Sequence, residues 1–150
     1  MSMNHYALPL RTQDIKDQRG DSPAHTGKLV HAIDFLCDVH SEILAAHDGE
    51  VVWVKDESNK GGNNRSYWND GNRIVIKHEQ GEYSAYEHLE YRGARVKVGD
   101  RVKQGDLIGY SGNTGYSLAP HLHMEVFRWT KENPDVNEDY ETVPITWRSP

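Results

Sequence analysis

Apolar and polar residues alternate along most of this chain in short runs, a period of two that predicts strands rather than helices. The runs cover residues 32–37, 43–46, 50–54, 73–78, 84–89, 95–98, 107–110 and 121–127. In the last of them, HLHMEVF, alternation puts His121, His123 and Glu125 on one face and Leu122, Met124 and Val126 on the other. The second face is core, which leaves the first free to carry chemistry. The run 32–37 behaves in the same way, with Asp34 opposite the core-like Ile33, Phe35 and Cys37. Turn pairs separate the runs: Asp48-Gly49 before VVWV, Gly99-Asp100 between RVKV and RVK, and Gly105-Asp106 before LIGY. Many short strands joined by such turns predict a mostly β, single domain of antiparallel strands folded as a β-sandwich or half-barrel with long loops.

The pattern weakens in three places. Before His25 the chain is mostly polar, with an apolar patch from Tyr6 to Leu10 expected to form an edge strand and a loop-like stretch from Gln13 to Ala24. Residues 56–72 are too polar for core and too long for a minimal connection, and loops of that kind are commonly functional or disordered. Residues 131–150 are acidic and then extended, and Pro144 is compatible only with an edge strand. The expected organisation is an N-terminal extension with an edge strand (1–24), a core (25–129) and an extended C-terminal tail packing on the core (130–150).

Bulk properties narrow the function. The 150 residues suffice for one well-buried core. A net charge of −6 gives no basic footprint for nucleic acid or an anionic membrane. No segment approaches the ~20 apolar residues of a membrane span, and MSMNHYALPLRTQD holds no apolar run of signal-peptide length. The single cysteine, Cys37, lies among Phe35, Leu36 and Val39 and reads as a small buried hydrophobe.

The candidate chemistry is that of a metal hydrolase. A catalytic zinc site needs about three protein ligands and one position left for water. The His121/His123 pair offers one ligand, and spacing does not say which of the two it is; Asp34 offers another. For the third, His31 stands three residues before Asp34, an odd separation that turns it to the Ile33 side of a regular strand. His25, across the loop HTGKLV, can instead fold back over the carboxylate. His5, His40, His47 and His78 lack such company and are expected to be ordinary surface or turn residues.

These residues carry a resemblance. SGNTGYSLAPHLHMEVF is similar to the GNTGxSTGPHLHFEV run of the LytM/lysostaphin-type zinc metallopeptidases. YEHL at Tyr86–Leu89 resembles that family's YxHL, RVKVGDRVKQGDLIGYSG its hairpin before the final motif, and AAHDGEVVWV its AAxDGxV strand. Leu118-Ala119 replaces Thr-Gly, and KLVHA is inserted between the HTG and IDF halves of the family's H-x-G-x-D motif. The resemblance implies a metallopeptidase core over 25–129. In it, His25, Asp34 and His123 would bind Zn2+, while His88 and His121 would be catalytic. It also implies a peptidoglycan peptide substrate and an extracytoplasmic setting. Two rival functions follow from the same residues. One is a catalytically silent metal-binding regulator of a cell-wall hydrolase, which the full ligand set disfavours. The other is a biotinyl or lipoyl carrier, whose hairpins VKVGDRVKQGDLIGY also resembles but whose exposed lysine turn is missing.

Overall fold

The computed structural model describes residues 1–20 and 25–149, so the loop expected over residues 21–24 lies outside the described residues. Ten strands form one sheet: β1 (Asp17–Arg19), β2 (Ile33–Leu36), β3 (Glu42–Leu44), β4 (Gly49–Lys55), β5 (Asn72–Lys77), β6 (Tyr83–Ala94), β7 (Arg101–Val102), β8 (Leu107–Ser111), β9 (His121–Trp129) and β10 (Tyr140–Thr142). The order is β1-β2-β9-β6-β5-β4-β7, all antiparallel, with β8 joining β3 to the far half of β6 and β10 pairing with the end of β9. The sheet is an open, folded one rather than a closed barrel. Helix among the described residues is limited to four single 3-10 turns.

Register explains why the two faces differ. Ile33, Met124, Tyr86 and Ile74 stand side by side across β2, β9, β6 and β5. With Phe35, Leu122, Val126, Ile43, Val51 and Ile108 they form the main core. On the opposite face the matching row is Asp34, His123, Glu87 and Arg73. A smaller apolar cluster of Val75, Ala85 and Phe127 lies next to that row, packed with Tyr83, Trp129 and Tyr140. A one-residue slip of any of these strands would exchange the two sets, so core burial fixes the polar row in place.

The edges depart from expectation in ways that backbone pairing explains. Asp17–Arg19, expected as loop, is a strand whose side chains are all exposed, so no alternation marks it. Residues 95–98, expected as a strand, are instead a connection and the start of a turn, in which the Asp100 carboxylate accepts the Lys97 N–H at 2.9 Å. Asp106 repeats that capping on Lys103. The N-terminal strand is shorter than expected: His5–Tyr6 pairs in parallel with Thr146–Trp147, while Leu10 is buried in the core. The 56–72 segment stays outside the core, yet it is tied down where Gly61–Gly62 pairs with Gly115–Tyr116. Cys37 is buried and free, as its neighbours imply.

Two of the histidines expected at the surface are buried. His78 is 4% exposed and His47 8%. His78 Nδ1 donates to the Asp48 carbonyl at 2.7 Å and its Nε2 meets Ser84 Oγ at 2.7 Å. Both rings pack against Tyr6, 41 or more positions earlier in the chain, a contact that no local pattern announces. His5 and His40 are exposed, as expected.

Candidate metal centre

β9 lies between β2 and β6, and pairing sets His123 directly opposite Asp34 on one side and Glu87 on the other. His25 enters from the chain before β2. The inserted KLVHA does not lengthen the strand but forms a 3-10 turn, Gly27–Leu29, that leaves the His25 imidazole free to fold back over Asp34. His31 is carried elsewhere: its N–H donates to Thr142 Oγ1, and its side chain lines a separate cleft of about 330 Å3 beside Lys28 and Tyr140.

Three imidazole nitrogens converge on one carboxylate oxygen. Asp34 Oδ1 is 3.2 Å from His25 Nε2, 3.3 Å from His123 Nδ1 and 3.6 Å from His121 Nε2. The other nitrogen of each ring identifies its tautomer. His25 Nδ1 meets the Gly20 carbonyl at 3.3 Å, and His121 Nδ1 meets the Ala119 carbonyl at 2.7 Å. A carbonyl only accepts, so Nδ1 carries a proton in both rings, and in the neutral form of each Nε2 is the lone pair. His123 is reversed: its Nε2 meets Glu125 Oε1 at 2.9 Å, so in the neutral ring Nδ1 is the lone pair that faces Asp34. With all three rings neutral, three lone pairs would face a carboxylate that can only accept, an arrangement that repels itself unless a cation or protons lie among the groups.

His88 comes from an irregularity in β6. Its φ of 70° is in the left-handed region, which a histidine adopts only at a cost of about 1–3 kcal/mol. It is the extra residue of a β-bulge: Glu87 pairs with Arg73, but Leu89 pairs with Asn72. The bulge resets the alternation, so Tyr86 and Leu89 both reach the core and His88 turns to the site. Its Nδ1 donates to the Thr114 carbonyl at 2.7 Å, and its ring centroid lies 4.6 Å from that of His121 and 5.9 Å from that of His123. The strand around Thr114 gets this close because Gly115, at φ 82°, packs against Gly71, where a Cβ would stand 2.7 Å from the Gly71 Cα.

Electrostatics follow from this crowding. Burial pushes His88 down to about 4, helped by the charges of His121 and His123, so the ring is neutral near pH 7. Burial alone would raise the Asp34 carboxyl, but hydrogen bonding to His123 and His25 and the nearby imidazoles hold it well below the usual carboxylate range. His123 is held well above the ordinary imidazole value against its burial, first by the Glu87 charge and then by hydrogen bonds to Asp34 and Glu125. Glu87, despite its partial burial, is kept at about 2, chiefly by the facing charge of Arg73.

His25, Asp34 and His123 together can hold a metal ion, since their ligand atoms all lie within 4.8 Å of one another. Two nitrogens and one oxygen are a donor set suited to zinc with a position left open. Glu87, His123 and Glu125 form an overlapping second group of the same compactness. Sequence reasoning gave these glutamates no role. Parity already set Glu125 on the His123 face, whereas the bulge beside Glu87 hid that residue.

Comparison with known proteins agrees with this geometry. The model of "Peptidase family M23" matches residues 28–137. The chain belongs to peptidase family M23. It is 40% identical over 99 residues to the glycyl-glycine endopeptidase ALE-1 of Staphylococcus capitis, covering 63% of this chain and 24% of that protein. To lysostaphin of Staphylococcus simulans it is 38% identical over 103 residues, covering 66% of this chain and 18% of that protein. The chain therefore spans no more than about a quarter of the length of either relative. Among solved structures, the lysostaphin catalytic domain matches with a TM-score of 0.56 at 34% identity, over 75% of this chain and 74% of that one. A zinc containing peptidase from Vibrio cholerae matches with a TM-score of 0.60 at 27% identity, over 82% of this chain and 36% of the other. The M23 chain is thus related to the lysostaphin-type endopeptidases.

Proposed function

We propose that this M23 chain is a zinc-dependent metalloendopeptidase that hydrolyses peptide bonds in peptidoglycan stem peptides or cross-links, with residues 25–129 as its catalytic core. The observation that carries this reading is the convergence of three imidazole nitrogens on the single oxygen of Asp34. In this reading His25 Nε2, Asp34 Oδ1 and His123 Nδ1 hold the zinc. When bound, zinc lowers the pKa of a coordinated water toward ~7 and polarises a scissile carbonyl. His121 and His88 supply the proton chemistry. Each has its Nδ1 proton fixed on a carbonyl, so Nε2 is the atom that accepts a proton or returns one to the departing amine. No H-E-x-x-H helix is present to supply a glutamate base.

The substrate class is supported by relatives whose names state it: glycyl-glycine endopeptidase, and a peptidoglycan DD-endopeptidase of Vibrio cholerae that is 38% identical over 108 residues. A complete donor set with two further histidines beside it argues against the silent regulator. No helix among the described residues is long and apolar enough to cross a membrane. The test is to incubate zinc-loaded protein with purified cross-linked peptidoglycan and with pentaglycine, and to identify new amino termini. New termini that vanish with chelator and return with zinc are expected. None from either substrate, with zinc bound, would overturn the assignment.

A further inference from the structure

Behind His123, on the side away from Asp34, the sheet brings a buried carboxylate, Glu125, against a half-buried one, Glu87. Glu125 is 2% exposed, and its Oε1 lies 2.9 Å from His123 Nε2; Glu87 Oε2 lies 3.7 Å from the same nitrogen. Arg73 stands opposite Glu87 in the next strand. Burying carboxylates costs several kcal/mol per ion unless each has a defined partner. Packing gives no reason to place them here, since the neighbouring positions of the same face are filled by Val75, Ala85 and Phe127.

We propose that Glu125 is a positioning residue for the metal centre. It accepts the Nε2 proton of His123 and so fixes the tautomer whose Nδ1 lone pair faces Asp34, while Glu87, facing Arg73 from the next strand, holds Glu125 in place. The proposal rests on the zinc site proposed above. It also decides between the two overlapping groups that can hold a cation, because His123 belongs to both. A cation among Glu87, His123 and Glu125 would have to displace the Nε2 proton and sit near the Arg73 guanidinium, whose charge opposes it. On the Asp34 side the residue opposite in the next strand is Arg19, but its guanidinium is exposed and paired with Asp17 at 2.9 Å, and three imidazole nitrogens already point at Asp34.

The test compares wild type, Glu125→Leu and Glu125→Gln in zinc affinity, measured by chelator competition, with circular dichroism as folding control. Partners of this type are worth 10–100-fold in metal affinity, and Glu125→Leu is expected to lose about that much. Glu125→Gln keeps an amide oxygen for the Nε2 proton and can donate its amide N–H to Glu87, so it recovers most of the loss. A Glu125→Leu chain that binds zinc as tightly as wild type, or a Glu125→Gln chain as weak as Glu125→Leu, overturns the proposal. Imidazole 15N NMR of the zinc-loaded wild type supplies a readout that no variant's folding can spoil. A hydrogen-bonded proton on His123 Nε2 is expected, and its absence, or two zinc ions per chain, overturns the proposal. A wild type that takes up no zinc fails at the first step, and that outcome removes the proposed function together with this inference.

Discussion

The molecule buries histidines in two places, and the difference lies in what the second ring nitrogen does. In the first place, His78 has both nitrogens engaged, by the Asp48 carbonyl and Ser84 Oγ, and Ser84 Oγ is in turn 2.8 Å from Tyr86 OH. The network ends at the backbone, where Tyr86 OH accepts the Ala46 N–H. No lone pair of His78 is left over. In the second place, His25, His121 and His123 each use one nitrogen on the protein and turn the other toward Asp34. Burial alone does not separate the two sites: it pushes both His78 and His88 down to about 4, whereas His123 is held well above the ordinary imidazole value by the Glu87 charge and by hydrogen bonds to Asp34 and Glu125. In the function proposed here, a buried histidine is structural when its nitrogens are both spent on the protein, and serves the metal site when one is aimed at the shared carboxylate.

Four predictions can break or sharpen that contrast. The largest effect belongs to the residues around the shared oxygen. Asp34→Ala and His123→Ala should each lose zinc and reduce hydrolysis to background, whereas His78→Asn should keep one zinc per chain. Metal analysis beside a peptide-cleavage assay checks this, and zinc lost from His78→Asn would erase the distinction.

Next come His88→Ala and His121→Ala, which should keep zinc and fold while hydrolysis falls by roughly a hundred- to ten-thousandfold, the usual worth of positioned acid/base groups. Full activity in either variant removes that residue from the chemistry.

The third prediction concerns stability. His78 is neutral when folded, with a value near 4 against about 6.5 when unfolded. Its contribution is therefore complete above pH 6.5 and is lost as pH falls from 6.5 to 4, by up to about 3 kcal/mol. Urea unfolding at pH 7 and pH 4.5 should show a larger drop for wild type than for His78→Asn. Equal drops would mean that His78 is not the group responsible.

The smallest effect is expected at His31. His31→Ala retains the backbone N–H that bonds Thr142 Oγ1, so zinc content should be unchanged and stability should move by no more than about 0.5 kcal/mol. Zinc loss in this variant would reverse the choice between His25 and His31.

The sequence makes much of this legible where alternation is unbroken. The faces of β2 and β9 follow from parity alone, and with them the fact that Asp34, His123 and Glu125 share a surface. Parity fails in β6, because one left-handed residue resets the count and lets Tyr86 and Leu89, three apart, both face the core. Strict alternation would have put His88 on the Tyr86 side. The edge strand Asp17–Arg19 is silent in the sequence, since backbone pairing needs no particular side chain when every one of them is exposed. The burial of His47 and His78 comes from Tyr6 folding over them from the far end of the chain, which no local window records.

The most direct test of the contrast between the two histidine sites is a zinc-edge anomalous difference map from a crystal of the zinc-loaded protein. One peak is predicted, at about 2.0–2.2 Å from His25 Nε2, Asp34 Oδ1 and His123 Nδ1, with none near His47 or His78. A peak between Glu87 and Glu125, a peak at His78, or no peak at Asp34 would contradict it.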